Sequence, residues 1–279
     1  MRLTTLIAAT VAAIAAGLTG GFVNEAFAAA GQPTDWAMGF QDSVSPVMDD
    51  LVSFDNLLLV IITAISIFVL ALLLIIMIRF NAKANPEPSK TTHNTAIEVV
   101  WTIVPILVLV MIAIPSFRLL YKQMVVPEAD LTIKAIGYQW YWGYEYPDDD
   151  IAFESLMVED DELQPGQPRL LTTDTDVVVP VNKTVRLIIT AEDVIHAWAI
   201  PSFGVKMDAV PGRLNETWFR ATEVGTYYGQ CSELCGVRHA FMPITVKVVS
   251  DEEYAEWLQW AKEEYAAAPA SVQVAGVAR

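Results

Sequence analysis

With 279 residues, the chain has room for one ordinary globular domain and something more. Its hydrophobic fraction of 54% and mean hydropathy of +0.40 are high for a wholly soluble protein, yet its formal charge is −16, so apolar and acidic residues must be segregated along the sequence. An acidic balance of that size offers no electrostatic footprint for nucleic acid.

The chain opens on Met1-Arg2-Leu3, continues in a small-residue apolar run to about Gly20, and reaches Ala26-Phe27-Ala28. One positive charge, a short apolar core and an Ala-x-Ala site predict a secretory signal peptide over residues 1–28, cleaved after Ala28. An uncleaved first membrane helix is the alternative, and the weakly hydrophobic Ala and Gly content speaks against it. Export to an oxidising compartment follows. Residues 29–56 then form an N-terminal exported segment. Leu57–Ile78 carries no charge and is long enough to cross a bilayer core, and Arg79 closes it. Val99–Phe117 gives a second charge-free run, closed by Arg118 and interrupted by Pro105 and Pro115. A buried helix of a soluble protein would explain one such run poorly and two in tandem worse. The connecting loop, residues 79–98, carries Arg79, Lys83 and Lys90 around the breaker string Asn85-Pro86-Glu87-Pro88, and positive loops stay in the cytoplasm. The sequence thus predicts a two-helix transmembrane hairpin in the lipid bilayer, with everything beyond about residue 120 outside.

After Pro127 the composition changes. Residues 129–279 hold 24 Asp and Glu against 11 Lys and Arg. Runs rich in Val, Ile and Thr recur at Leu131–Ile136, Val177–Val181, Val185–Ile189, Glu216–Arg220 and Pro243–Val249, separated by turn residues such as Pro211-Gly212. Short strands at that spacing predict an all-β sandwich or barrel over residues 129–250. Asp251 starts an amphipathic helix with Tyr254, Trp257, Leu258 and Ala261 on one side, and a tail completes residues 251–279.

The two cysteines of the chain, Cys231 and Cys235, lie in Cys231-Ser-Glu-Leu-Cys235-Gly-Val-Arg-His239-Ala-Phe-Met242. Thiolate, imidazole and thioether are together the donor set of copper electron-transfer sites. A mononuclear blue site needs one Cys. Here two, four residues apart, can bridge two copper ions with one imidazole on each, and His196 is the other histidine of the exported region. Three other readings compete: a Cys231–Cys235 disulfide, a Cys2His2 zinc site, and Met242 as ordinary core packing. The first explains neither His239 nor Met242, and zinc has no use for a thioether.

These residues carry a family resemblance. Residues 40–265 closely resemble subunit II of the haem–copper cytochrome c oxidases, of the bacterial and mitochondrial type. Gly229-Gln-Cys-Ser-Glu-Leu-Cys-Gly-x-x-His-Ala-x-Met-Pro243 matches that family's copper loop without a gap, and Val205-Lys-Met-Asp-Ala-Val-Pro-Gly-Arg213 matches upstream. The resemblance implies a cupredoxin-like sandwich holding the dinuclear copper A centre, in a bacterial inner membrane with the domain on the periplasmic side. It implies that Glu233 gives copper its backbone carbonyl and offers its side chain to a Mg or Mn ion shared with subunit I; the bland alternative is a surface glutamate. Quinol-oxidising relatives lack the copper ligands, so the implied donor is cytochrome c. The implied complex reduces dioxygen to water coupled to proton pumping, in partnership with subunit I and subunit III.

Further roles follow from the same resemblance. Gly137–Tyr146 alternates, with Tyr138, Trp140, Trp142, Tyr144 and Tyr146 expected on one side of an extended chain. Aromatic strands ordinarily pack a core or an interface; the match to the family's Gln-Trp-Tyr-Trp motif instead implies that Trp140 lies exposed above copper and receives electrons. By position in the motifs, Glu145, Glu154, Asp174 and Asp193 correspond to carboxylates that dock cytochrome c, where acidic runs are otherwise solvated surface. Glu98, beside the second span, corresponds to the mouth of a proton-uptake path; the alternative is a hydrated interfacial glutamate. Two rival functions are a membrane-tethered copper chaperone or store, which would favour exposed ligands with few aromatics, and a structural subunit without metal, against which the intact ligands speak.

Overall fold

The computed structural model describes residues 31–265; the predicted signal peptide and the tail from Ala266 onward lie outside the described residues. Two long helices come first, α1 (Pro46–Arg79) and α2 (Thr95–Met124). Both starts are local capping devices. Ser45 accepts the Met48 N–H at 3.0 Å with Pro46 in the first helical position, and Asn94 accepts from Ala96 and Ile97. The side chains of both apolar stretches face outward, as lipid-facing helices require and buried core helices do not.

The helices outrun the charge-free stretches. α1 begins at Pro46, well before Leu57, and its added turns carry Asp49, Asp50 and Asp55; α2 runs past Phe117 to Met124. At 1.5 Å per residue the first extension is about 16 Å long. These outer turns form a stalk, and the stalk is fastened to the domain beyond it. Lys122 Nζ donates to the Pro46 carbonyl at 2.8 Å and to Asp50 at 2.5 Å, while its own carbonyl accepts the Trp218 indole N–H at 2.9 Å. The Ser45 hydroxyl donates to the Phe203 carbonyl at 2.7 Å, and Val47 and Met48 are buried beside it.

Ten strands follow among the described residues: β1 (Leu131–Tyr138), β2 (Tyr141–Tyr146), β3 (Ile151–Ser155), β4 (Val177–Pro180), β5 (Val185–Ala191), β6 (His196–Ile200), β7 (Val205–Ala209), β8 (Asn215–Phe219), β9 (Gly225–Gln230) and β10 (Pro243–Val249). They form a five-stranded sheet in the order β3-β2-β1-β5-β8, a three-stranded sheet β4-β10-β9, and the pair β6-β7. Strict alternation drives the packing. In β5, Val185, Leu187, Ile189 and Ala191 point inward and the residues between them do not. β1 runs parallel to β5 with Leu131 opposite Val185, and β10 runs parallel to β4 with Val246 opposite Val177. Parallel neighbours cannot be joined by a tight hairpin, so each sheet is stitched by segments distant in sequence. Helix α3 (Asp251–Tyr265) covers one end. Ser250 and Glu253 cap it reciprocally, and Trp257 packs on Tyr146 with ring centroids 5.2 Å apart. Hairpin, all-β sandwich and C-terminal helix are all present.

The aromatic run departs from its expected form. Gly137–Tyr146 is not one extended segment but the end of β1, a turn at Gln139-Trp140, and β2. Trp142, Tyr144 and Tyr146 point into the core, whereas Tyr138 and Tyr141 stack on the outer face at 4.8 Å. The turn resets the alternation, so the five aromatics do not share a side.

Candidate metal centre

Three segments converge at one end of the sandwich. β6 supplies His196, fully buried. The loop after β9 supplies Cys231 and Cys235, 5% and 4% exposed, and the short 3-10 turn His239–Phe241 leads into Met242, 1% exposed. Backbone bonds fix this loop. The Cys231 N–H donates to the Met242 carbonyl, closing the loop on itself, and the Ser232 N–H donates to Ala197 on β6, one residue from His196. β7 pairs with β6, placing Ala209 opposite His196. The upstream Val205–Arg213 motif therefore shapes the strand that carries a ligand.

The donor atoms form a close cluster. Cys231 Sγ lies 3.8 Å from Cys235 Sγ and 3.9 Å from His196 Nδ1; Cys235 Sγ lies 3.5 Å from both His239 Nδ1 and Met242 Sδ. The Glu233 carbonyl is 3.3 Å from Cys231 Sγ. A disulfide requires sulfurs about 2.05 Å apart, and both cysteines are free. Two metal–ligand bonds of about 2.3 Å meeting near the tetrahedral angle span roughly 3.8 Å. The donors thus fit soft metal ions shared between the sulfurs. The donor atoms of His196, Cys231 and Cys235 all lie within 4.8 Å of one another, with His239 half-buried beside Cys235.

Electrostatics agree. Burial opposes ionisation of Cys231, but hydrogen bonding to His196 and to the backbone at Glu233 and Ala197 outweighs it and brings the thiol down to about 7. Cys235 is pushed up to about 12 by burial and by the charge that Cys231 acquires. The protein's own groups favour ionisation at Cys231 over Cys235; a bound cation would favour it at both.

The surrounding groups hold the ligands in place. His196 Nε2 is 2.9 Å from Asp193 Oδ1. A carboxylate accepts only, so Nε2 carries a proton there, and Nδ1, which faces Cys231, is the nitrogen a metal ion would take in place of its proton. Asp193 also accepts the backbone N–H groups of Gln139 at 2.7 Å and Val194 at 2.6 Å. Burial works to raise its carboxyl, yet the bond from His196 and these amides hold it below the ordinary value. The Gln139 side chain and the Trp140 indole both donate to the Cys235 carbonyl, at 3.0 and 3.1 Å. Two glycines make this approach possible. A Cβ on Gly137 would stand 2.7 Å from the His196 ring, and one on Gly236, at φ +125°, would stand 3.0 Å from Trp140.

The expected site residues thus fall into four groups. His196, Cys231, Cys235, His239, Met242 and the Glu233 carbonyl come together, and the Glu233 side chain is exposed. Trp140 caps the loop, half-buried rather than fully exposed. Around the Tyr138–Tyr141 stack lie Glu192, Glu145, Glu154 and Asp193, whose charges add to burial, the larger cause, in raising the Tyr138 phenol. These acids are not all free. Glu145 pairs with Lys134 at 3.0 Å and Asp193 is committed to His196, while Glu154 accepts from Tyr141 and Asp174 from the Leu156 N–H. Glu98 stands apart in the first turn of α2, half-buried. Sequence reasoning missed Gln139 and Glu192; Gln139 belongs to the aromatic motif but was overshadowed by its neighbours. Exposed Leu234 and Val237, at 80% and 85%, form an apolar collar on the metal loop.

Comparison with known proteins bears on this arrangement. Residues 131–249 match the family model for the periplasmic domain of cytochrome c oxidase subunit II, and residues 33–119 match the model for its transmembrane domain. The chain is 53% identical over 242 residues to the probable cytochrome c oxidase subunit 2 of Rickettsia bellii (strain RML369-C), covering 86% of this chain and 90% of that one. It is 51% identical over 250 residues to cytochrome c oxidase subunit 2 of Cereibacter sphaeroides, covering 83% and 82%. The crystal structure of the periplasmic domain of subunit II of cytochrome oxidase (CoxB) of Bradyrhizobium japonicum is 59% identical, covers 50% of this chain and 99% of that chain, and superposes with a TM-score of 0.48.

Proposed function

The chain belongs to the cytochrome c oxidase subunit II family, and from that premise we propose that it is the subunit through which electrons enter the oxidase, by way of a dinuclear copper A centre on Cys231, Cys235, His196, His239, Met242 and the Glu233 carbonyl. It is a membrane-anchored, copper-binding subunit of an oxidoreductase complex. The observation that carries the finer reading is the convergence of five soft or intermediate side-chain donors at 3.5–3.9 Å spacings, with sulfurs too far apart to bond.

Bound there, the copper pair would supply one-electron redox chemistry with the unpaired electron spread over two metals. The protein's part is to keep the ligands still and water out. Buried Trp142 stands edge-on to His196 at 6.0 Å, and Trp198 and Met242 are equally dry. A rigid, apolar shell limits both bond-length change and solvent response when charge changes. Trp140 is the contact where cytochrome c delivers electrons, since its indole touches both the surface and the Cys235 carbonyl. His239 passes them toward haem in subunit I, against which the Leu234–Val237 collar packs.

The remaining assignments rest on position. Glu145, Glu154, Asp174 and Asp193 give cytochrome c an acidic landing face. The exposed Glu233 side chain serves a Mg or Mn ion shared with subunit I. Glu98 admits protons to the pumping machinery of subunit I, and subunit III completes the complex. A bacterial inner membrane would hold the hairpin. Buried ligands disfavour the role of an exchangeable copper store. The full chain, purified in detergent and loaded, is expected to hold two coppers and to give a mixed-valence resonance with several hyperfine lines. One copper per chain, or a Cys231–Cys235 disulfide in the metal-loaded protein, sinks the reading.

A further inference from the structure

Between the outer halves of α1 and α2 lies a cavity of about 350 Å³, lined by Ser53, Phe54 and Leu57 from one helix and Pro115, Arg118 and Leu119 from the other, with the Asp50–Lys122 pair above. Its level in the membrane is fixed twice. Leu57 begins the charge-free run of α1, and Phe117, next to Arg118, ends that of α2. The two helices therefore place the edge of the hydrocarbon core at the same height. The cavity straddles that edge, apolar below and polar at the rim.

Its charges are unequal. Lys122 is already engaged by Asp50 and the Pro46 carbonyl. Arg118 is exposed and has no ion-pair partner among the described residues. It is thus an uncompensated guanidinium at headgroup depth, beneath a strongly acidic domain that would repel free anions. Guanidinium geometry matches phosphate oxygens in pairs. Pro115 offers no long side chain, so the space beside Phe54 and Leu119 stays open where a Leu or Phe would close it.

We propose that this cavity seats a single phospholipid, its phosphate on Arg118 and Ser53 and one acyl chain along Phe54, Leu57 and Leu119. The lipid fills the gap between the helices where they leave the bilayer, just below the Lys122 fastening. The proposal rests on the membrane hairpin and is independent of the copper centre.

The full chain in mild detergent, washed and examined by native mass spectrometry with added phosphatidylglycerol or a diglycosyl diacylglycerol of the same acyl chains, tests it. The wild type is expected to keep one phosphatidylglycerol under washing that strips the glycolipid. R118Q, which removes the phosphate partner, and L57W, which fills the groove, are each expected to lower that retention about tenfold, the scale of one charge-assisted hydrogen bond. Helical circular dichroism equal to wild type verifies folding. Unchanged retention in both variants overturns the proposal, as does displacement of the lipid by millimolar inorganic phosphate, which would mark a bare anion site. If R118Q instead releases a neighbouring subunit from the assembled oxidase while the lipid count holds, Arg118 serves an inter-subunit ion pair and the proposal falls.

Discussion

Asp193 corresponds by sequence to a docking carboxylate, yet its oxygens are spent on His196, Gln139 and Val194. On the proposed copper reading, its first task is to orient His196. Groups that fix a ligating histidine typically account for 10- to 100-fold in metal affinity. Asp193→Asn, which keeps the shape and loses the charge, is expected to weaken copper binding of the full chain by about that factor in competition with a chelator. Equal affinity would assign Asp193 to docking alone. Asp176 is a different case, far from the metal. Burial pushes its carboxyl above the ordinary range, against the pull of Lys247 and the Thr173 hydroxyl. A carboxyl raised in the folded state adds stability below its unfolded pKa and loses it as pH climbs through the folded value. At neutral pH its charge is a liability, so Asp176→Asn is expected to raise the thermal midpoint. That advantage over wild type should disappear below about pH 3.9, where both states are protonated.

Among the elements, legibility followed chemistry more than pattern. The metal loop could be read because cysteine and histidine are scarce here, two and three in the whole chain, and their spacing leaves few alternatives. β1, β5 and β10 could be read because β-branched residues (Val, Ile, Thr) recur along each of them between turn residues. β6 could not: His196-Ala-Trp-Ala-Ile200 is buried at four of its five positions and so lacks alternation. The β1–β2 turn was hidden because Gln139-Trp140 contains none of the usual turn residues, and tertiary bonds to Asp193 and Cys235 hold it instead. Helix ends differed from span ends for a related reason. Absence of charge reports where lipid begins, while Ser45 and Asn94 report where the helix does. Glu98 falls between those two markers, inside the helix and before the charge-free run. In the assembled oxidase, Glu98→Ala is expected to slow steady turnover severalfold while copper reduction by cytochrome c keeps its rate. Undiminished turnover would return Glu98 to the status of a hydrated interfacial residue.

For the molecule as a whole, charge is divided by height. The hairpin loop is basic and the domain above is acidic, with Glu145, Glu154, Asp193 and Glu192 gathered near the Tyr138–Tyr141 stack. Fields of exposed charges fade over about 8 Å at physiological ionic strength. Oxidation of a basic cytochrome c by the assembled enzyme is therefore expected to slow steeply as salt rises, through its bimolecular rate constant. A flat profile would count against the acidic face. The pairing of distant strands also bears on biogenesis. β4 pairs with β10, and Cys231 is held by Met242 at the far end of its own loop, so the donor cluster and the sheet beneath it close only on the part of the chain that ends near Val249. On the proposed copper reading, the metal would then be taken up by a folded domain on the far side of the membrane, and copper would have to be delivered there rather than to the nascent chain.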